Sequence, residues 1–109
     1  MLETVFLKVK EDRVDALKHW MEELRQREDE VLETFRREGA RHEAAYLLES
    51  TEGPMLVYVQ EAADPERAHR AFQESNLPVD LEHRQVTRDV VAGRLEVAKL
   101  FNLSMPDGR

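Results

Sequence analysis

Four histidines and two tyrosines are the side chains of this sequence best suited to moving a proton near neutral pH. The stretch "RHEAAY" places His42, Glu43 and Tyr46 at the head of an alternating segment. Adjacent strand residues point to opposite faces, so His42 and Glu43 cannot line one pocket as a dyad. His42 and Tyr46 do share a face. That puts Tyr46 in a cavity wall and His42 at its rim, and leaves Glu43 structural or solvent-facing. Tyr58 falls among apolar strand neighbours, where its hydroxyl needs a partner, either a ligand or the backbone. Glu82 and His83 stand near a helix start. Glu82 suits the helix dipole there, whereas no packing rule asks for His83, which makes it the strongest candidate. His19 and Glu23 are four apart on a helix, the spacing of a shared proton or of a plain solvated face. Lys8, on an otherwise mixed apolar face, needs a carboxylate partner such as Glu96 or an anionic ligand.

The same inventory argues against metals and cofactors. A metal site needs three or four converging ligands, and the histidines at 19, 42, 69 and 83 fall on separate elements. No cysteine is present, which removes thiolate zinc sites, iron–sulfur clusters, disulfides and thiol catalysis. No metal and no cofactor are expected.

These side chains have to be positioned by a small scaffold. The chain has 109 residues, enough for one domain with a thin core. At 41% hydrophobic and 36% charged it reads as globular rather than disordered. The net charge of -7, with mixed runs such as "RQREDE", argues against a nucleic-acid partner. The opening "MLETVFLKVK" alternates like a strand and lacks a signal-peptide core, and no apolar run spans a membrane. A cytoplasmic protein is expected.

"ETVFLKV" gives a strand with Val5, Leu7 and Val9 on one face and Thr4, Phe6 and Lys8 on the other. Residues 11–38 carry a helical stripe of Val14, Leu17, Met21, Leu24, Val31 and Phe35, widened by Trp20 and Leu32. Asp12 is the expected N-cap and Gly39 the C-terminal stop. One straight helix would be ~40 Å long, about the width of so small a domain, so it either kinks or has one end that needs a partner; Glu28 in the stripe marks a place for a break, or sits at the stripe's edge and reaches water. A hairpin follows over 42–61, turning at Gly53–Pro54. Asp64 and Pro65 open a second helix, Asp80 caps a short third one ended by Gly93, and residues 94–103 alternate as a last strand. The order β-α-β-β-α-(α)-β implies an α+β, ferredoxin-like split βαβ domain over 1–103, with a four-stranded antiparallel sheet, helices on one face and a polar tail at 104–109. The bare sheet face would hold Phe6, Tyr58, Tyr46 or Leu47, and Leu100. An apolar face of that kind calls for a second copy, so a homodimer is expected.

The strand "TVFLKVK", the helix end "LETFRREG", the hairpin "EAAYLLESTEGPMLVYVQE" and the segment "LPVDLEHRQV" together resemble the dimeric α+β-barrel superfamily. Within it the layout is similar to an uncharacterised domain-of-unknown-function family, up to about residue 103. The resemblance implies a scaffold and a face-to-face dimer, and no activity. A weaker similarity, carried by Gly39 to Leu47, links the chain to the rhamnose mutarotases. Their catalytic histidine slot falls near Leu24 here, with His19 more than a turn away, and Trp20 is the only tryptophan to serve as a sugar platform. The scaffold is shared, therefore, without those enzymes' site.

These readings converge on a small-molecule pocket between the sheet and the long helix, or inside the dimer barrel, lined by Lys8, Trp20, Tyr46, Tyr58 and His83. The enzymatic alternative is a cofactor-independent monooxygenase or isomerase, with His83 or His42 as base and Tyr58 as proton donor. The remaining alternative is a structural or regulatory interaction module without a ligand.

Overall fold

The computed structural model describes residues 1–106. Of the tail expected at 104–109, residues 107–109 lie outside the described residues. The chain is α+β, with a four-stranded antiparallel open sheet and four helices. The elements are β1 (Leu2–Val9), α1 (Val14–Gln26), α2 (Glu28–Glu38), β2 (Ala40–Ser50), β3 (Gly53–Ala62), α3 (Pro65–Glu74), α4 (Pro78–Val90) and β4 (Val91–Leu95). The strand order is β2-β3-β1-β4. No described helix is long and apolar enough to cross a membrane.

The alternation of β1 settles the sheet's two faces. Val5 stands opposite Tyr58 and Leu7 opposite Leu56, and β2 continues the rows with Ala45 and Leu47. This face meets the helices: Leu56 and Val9 are buried with Leu17 and Val90, and Leu7, Leu47, Tyr58 and Val86 pack around them. The other face carries Phe6, Tyr46, Leu48 and Val57. Tyr58 therefore lies under the helices, and its expected place on the bare face is corrected. Both faces of β3 are apolar, so alternation alone could not say which one turns inward. Leu47 also turns toward the helices, and Tyr46 takes the open side.

The long first helix is broken at Arg27, whose backbone (φ -107°, ψ 41°) leaves the helical region. Its N–H is shared between the carbonyls of Glu23 and Leu24, at 3.1 and 3.0 Å. Its guanidinium gathers Glu23, Glu30 and Glu82 at 2.7–2.9 Å and lies 5.9 Å from the Trp20 ring centre. The break falls directly before Glu28, the exposed first residue of α2, and the Arg27 side chain ties the two helices there. Leu32, expected on the apolar stripe, is exposed beyond it.

Helix ends follow their local chemistry in two places and depart from expectation in three. Gly39 takes the left-handed conformation (φ 75°) that a glycine stop supplies. Asp64 accepts the N–H of Arg67 at 3.2 Å, with Pro65 at the first helical position. Asp12 does not cap α1, because Glu11–Arg13 forms a separate 3-10 turn. Asp80 does not cap α4, because Pro78 starts that helix three residues after Ser75 and carries Asp80 inside the first turn. Gly93 is a strand residue opposite Lys8. The last strand is shorter than expected: among the described residues none beyond Leu95 has a ladder partner, and Leu100 is 90% exposed. An ion pair, Lys99 to Glu3 at 3.1 Å, ties that segment back.

Candidate functional site

The covered face does not pack solidly. Between β1, β2, β3 and helices α2, α3 and α4 lies a cavity of about 760 Å³. Apolar walls come from Val5, Leu7, Val31, Phe35 and Phe72, and two polar groupings face each other within it.

The first grouping is a chain of hydrogen bonds through three elements. Trp20, buried on α1, donates its indole N–H to His83 Nδ1 at 3.1 Å. The other ring nitrogen, Nε2, lies 2.9 Å from the Tyr58 hydroxyl. Burial pushes the imidazole down to about 4, against the pull of the nearby Asp80 carboxylate, so the ring is neutral at physiological pH. An indole N–H only donates, so Nδ1 must accept and the single proton sits on Nε2. Nε2–H then donates to the phenol oxygen, which leaves the Tyr58 hydroxyl proton available to the cavity. Burial, reinforced by the Glu43 charge, keeps the phenol protonated far above neutral pH. Phe72 packs edge-on against the imidazole with ring centres 5.5 Å apart and fixes its plane.

The second grouping is acidic. Gln60 on β3 donates its amide to Glu38 Oε1 at 3.2 Å and to Glu43 Oε1 at 3.1 Å. Asp80 accepts the Thr34 hydroxyl at 2.8 Å. Glu38 is 6% exposed and Asp80 3%. Burial pushes the Glu38 carboxyl up to about 8, helped by the charges of Glu43 and Asp80. Burial likewise pushes Glu43 up to about 7 against the stabilising Gln60 amide. Among the described residues none of these three acids forms an ion pair, whereas Glu22, Glu23, Glu30, Glu33 and Glu82 at the surface all do.

The structure brings together Trp20, Tyr58 and His83, on α1, β3 and α4. It places Lys8, His42 and Tyr46 on the far side of the sheet, with Lys8 and His42 exposed and Tyr46 59% exposed. Glu43, read from sequence as structural or solvent-facing, faces the cavity instead. Glu43 stands opposite Gln60 in the unbroken register of the hairpin and shares the covered face with Ala45 and Leu47; the bulge at Arg41 lies beyond it. Glu23 serves Arg27, not His19, which is exposed. Sequence reasoning passed over Glu38 and Gln60. Glu38 lies one residue before a glycine stop, where an acid works against the helix dipole, and that was the available signal. Among the described residues no group of three or more histidines and acids is arranged to hold a metal ion.

The chain matches the model of a family of unknown function (DUF6176) over residues 2–107 and belongs to that family. No curated protein and no solved structure matches it.

Proposed function

We propose that this member of the family is a homodimeric, ferredoxin-like protein that binds a small molecule in the cavity between its sheet and its helices. The observation that carries the reading is the convergence, in a cavity of about 760 Å³, of the Tyr58 hydroxyl with the Glu38–Gln60–Glu43 grouping. Cavities of this size take drug-sized ligands, and their few polar groups set orientation. Trp20 and His83 act as positioning residues that hold Tyr58 as a donor. Lys8 and Tyr46, which the cavity does not reach, belong in this reading to the open face.

The strand order β2-β3-β1-β4 is that of a split βαβ sheet, which supports the ferredoxin-like assignment and the dimeric-barrel superfamily. Dimerisation is supported by the open face, where Tyr46 and Leu48 are exposed, and by the apolar segment Val97, Leu100, Phe101, Leu103 and Met105 beyond β4. Native mass spectrometry tests both parts. The expected species is a dimer carrying added small-molecule mass. A monomer at micromolar concentration overturns the dimer. A cavity that takes up no member of a fragment library, followed by NMR shifts at Tyr58 and His83, overturns the ligand.

A second reading, an isomerase or cofactor-independent monooxygenase, is favoured by Glu43, whose carboxyl at about 7 suits a general base beside the Tyr58 donor. His83 fits that role poorly, because Trp20 occupies its only lone pair. In this reading activity rises with pH near 7 and is lost in Glu43→Gln, while a limb that survives that change removes Glu43 from the role.

A further inference from the structure

Buried carboxylates in folded proteins are paired with a cation, held by several donors, or kept protonated. Glu38, Glu43 and Asp80 meet this rule only in part. Each accepts a single hydrogen bond from a neutral group: Gln60 serves two of them and Thr34 the third. Among the described residues no buried polar side-chain atom lacks a partner, so the second oxygens of Glu38 and Asp80 keep some accessible surface, and both residues line the cavity. Three acids on α2, β2 and α4 thus line one space whose walls also include the apolar Val5, Leu7, Val31, Phe35 and Phe72.

Resting on the ligand-pocket reading above, we infer that the cavity is built for an organic ammonium ion with an apolar body. The ammonium group supplies the missing charge and up to three donors to the free carboxylate oxygens. Val31, Phe35 and Phe72 receive the carbon skeleton, and the aromatic faces favour a cation. The Tyr58 proton serves an oxygen on the ligand where it carries one. Without a bound cation, Glu38 and Glu43 relieve the repulsion by holding protons. A bound cation reverses that, so binding is coupled to proton release.

Every charged group facing the site bears on this coupling. His83 on α4 is neutral at working pH. Glu3 on β1 is tied to Lys99. At the mouth, Glu66, His69 and Arg70 on α3 and Arg94 on β4 are exposed, where water and salt screen them. The buried end remains acidic.

The test is calorimetry at about pH 7 on the full chain, with a series of primary alkyl- and cycloalkylammonium ions and their alcohol isosteres. The titrations are run in two buffers of different ionisation enthalpy. The expected result is saturable binding of the amines at least tenfold tighter than that of the alcohols, with release of roughly half to one proton per site. The variant E38Q/E43Q should lose the preference and the proton release, and Asp80→Asn provides an independent check through tenfold weaker amine binding. Alcohols that bind as well as amines, without proton release, overturn the ammonium assignment and leave the pocket standing. If neither series binds, the assignment and the pocket reading fall together.

Discussion

The two faces of one sheet are made from similar residues and end in opposite conditions. On the covered face, β1 and β3 present Val5, Leu7, Leu56 and Tyr58. On the open face they present Phe6, Met55, Val57 and Val59. The difference lies in what joins them. The covered face has Glu43 and Gln60 in line with Glu3, and helices that bring Glu38, Asp80 and His83 down onto it. The open face has a lysine, a histidine and exposed apolar side chains. Apolar content therefore does not locate chemistry in this fold; uncompensated polar groups do.

The largest expected effect exploits the acids. Glu38 and Glu43 bind protons more tightly when folded, at about 8 and about 7 against an ordinary 4.5, so their stabilisation is full below pH 4.5 and is lost as pH rises through those values. His83 has the opposite sign: held at about 4 against 6.5, it favours the fold above 6.5 and opposes it as pH falls toward 4. Two groups against one leave a net of roughly one proton between pH ~4.5 and ~6.5. Stability should fall there by about 1 kcal/mol per pH unit, then more steeply until Glu43 titrates. The surface acids Glu30 and Glu33, held low by arginines, act below this window. Urea melts from pH 5 to about 8 check the slope. In E38Q/E43Q it should reverse below ~6.5, and an unchanged slope would refute the burial of these carboxyls.

The hydrogen-bond chain gives the next effect. His83→Phe keeps the ring packing but strands the Trp20 N–H and the Tyr58 hydroxyl, and should cost about 2–3 kcal/mol in chemical denaturation. Trp20→Phe should cost about 1 kcal/mol and release the tautomer. Nitrogen-15 NMR should show the Nε2–H form alone in the parent and a mixture in the variant. Gly39→Ala should also cost about 1 kcal/mol, since nothing lies within 4 Å of an added Cβ and only the backbone at φ 75° objects. A cost near zero would mean that the α2 stop can relax.

What could be read beforehand was whatever lies within a few residues. The alternation of β1, the Gly39 stop and the Asp64–Pro65 helix start are short-range chemistry and need no partner. What could not be read depends on distant contacts. Arg27, at the helix break, is bonded to Glu82 on another helix. Glu43 takes its side from the face it shares with Ala45 and Leu47, which only the helices mark as covered, and its environment from Gln60 and Asp80. His83 stood out because it lacked a packing reason, but its role as an acceptor for Trp20 and a donor to Tyr58 needed α1, β3 and α4 in place. Lys8 and Tyr46 were grouped with it because alternation reports that residues share a face without reporting which face is covered.

The smallest effect on the fold should come from the open side, and it sharpens the contrast most. Leu48 is exposed on edge strand β2, opposite Met55 and away from the cavity. In an isolated chain, Leu48→Glu should change stability by no more than about 0.5 kcal/mol, as surface substitutions do. In a dimer packed through this face, the same change buries a charge against apolar side chains and should drive the protein to a monomer. Sedimentation at several concentrations separates the cases. A monomeric variant with parent-like pH dependence would show that one face serves assembly and the other chemistry. A variant that stays dimeric would move the contact elsewhere, with the exposed segment from Val97 to Met105 as the next surface to alter.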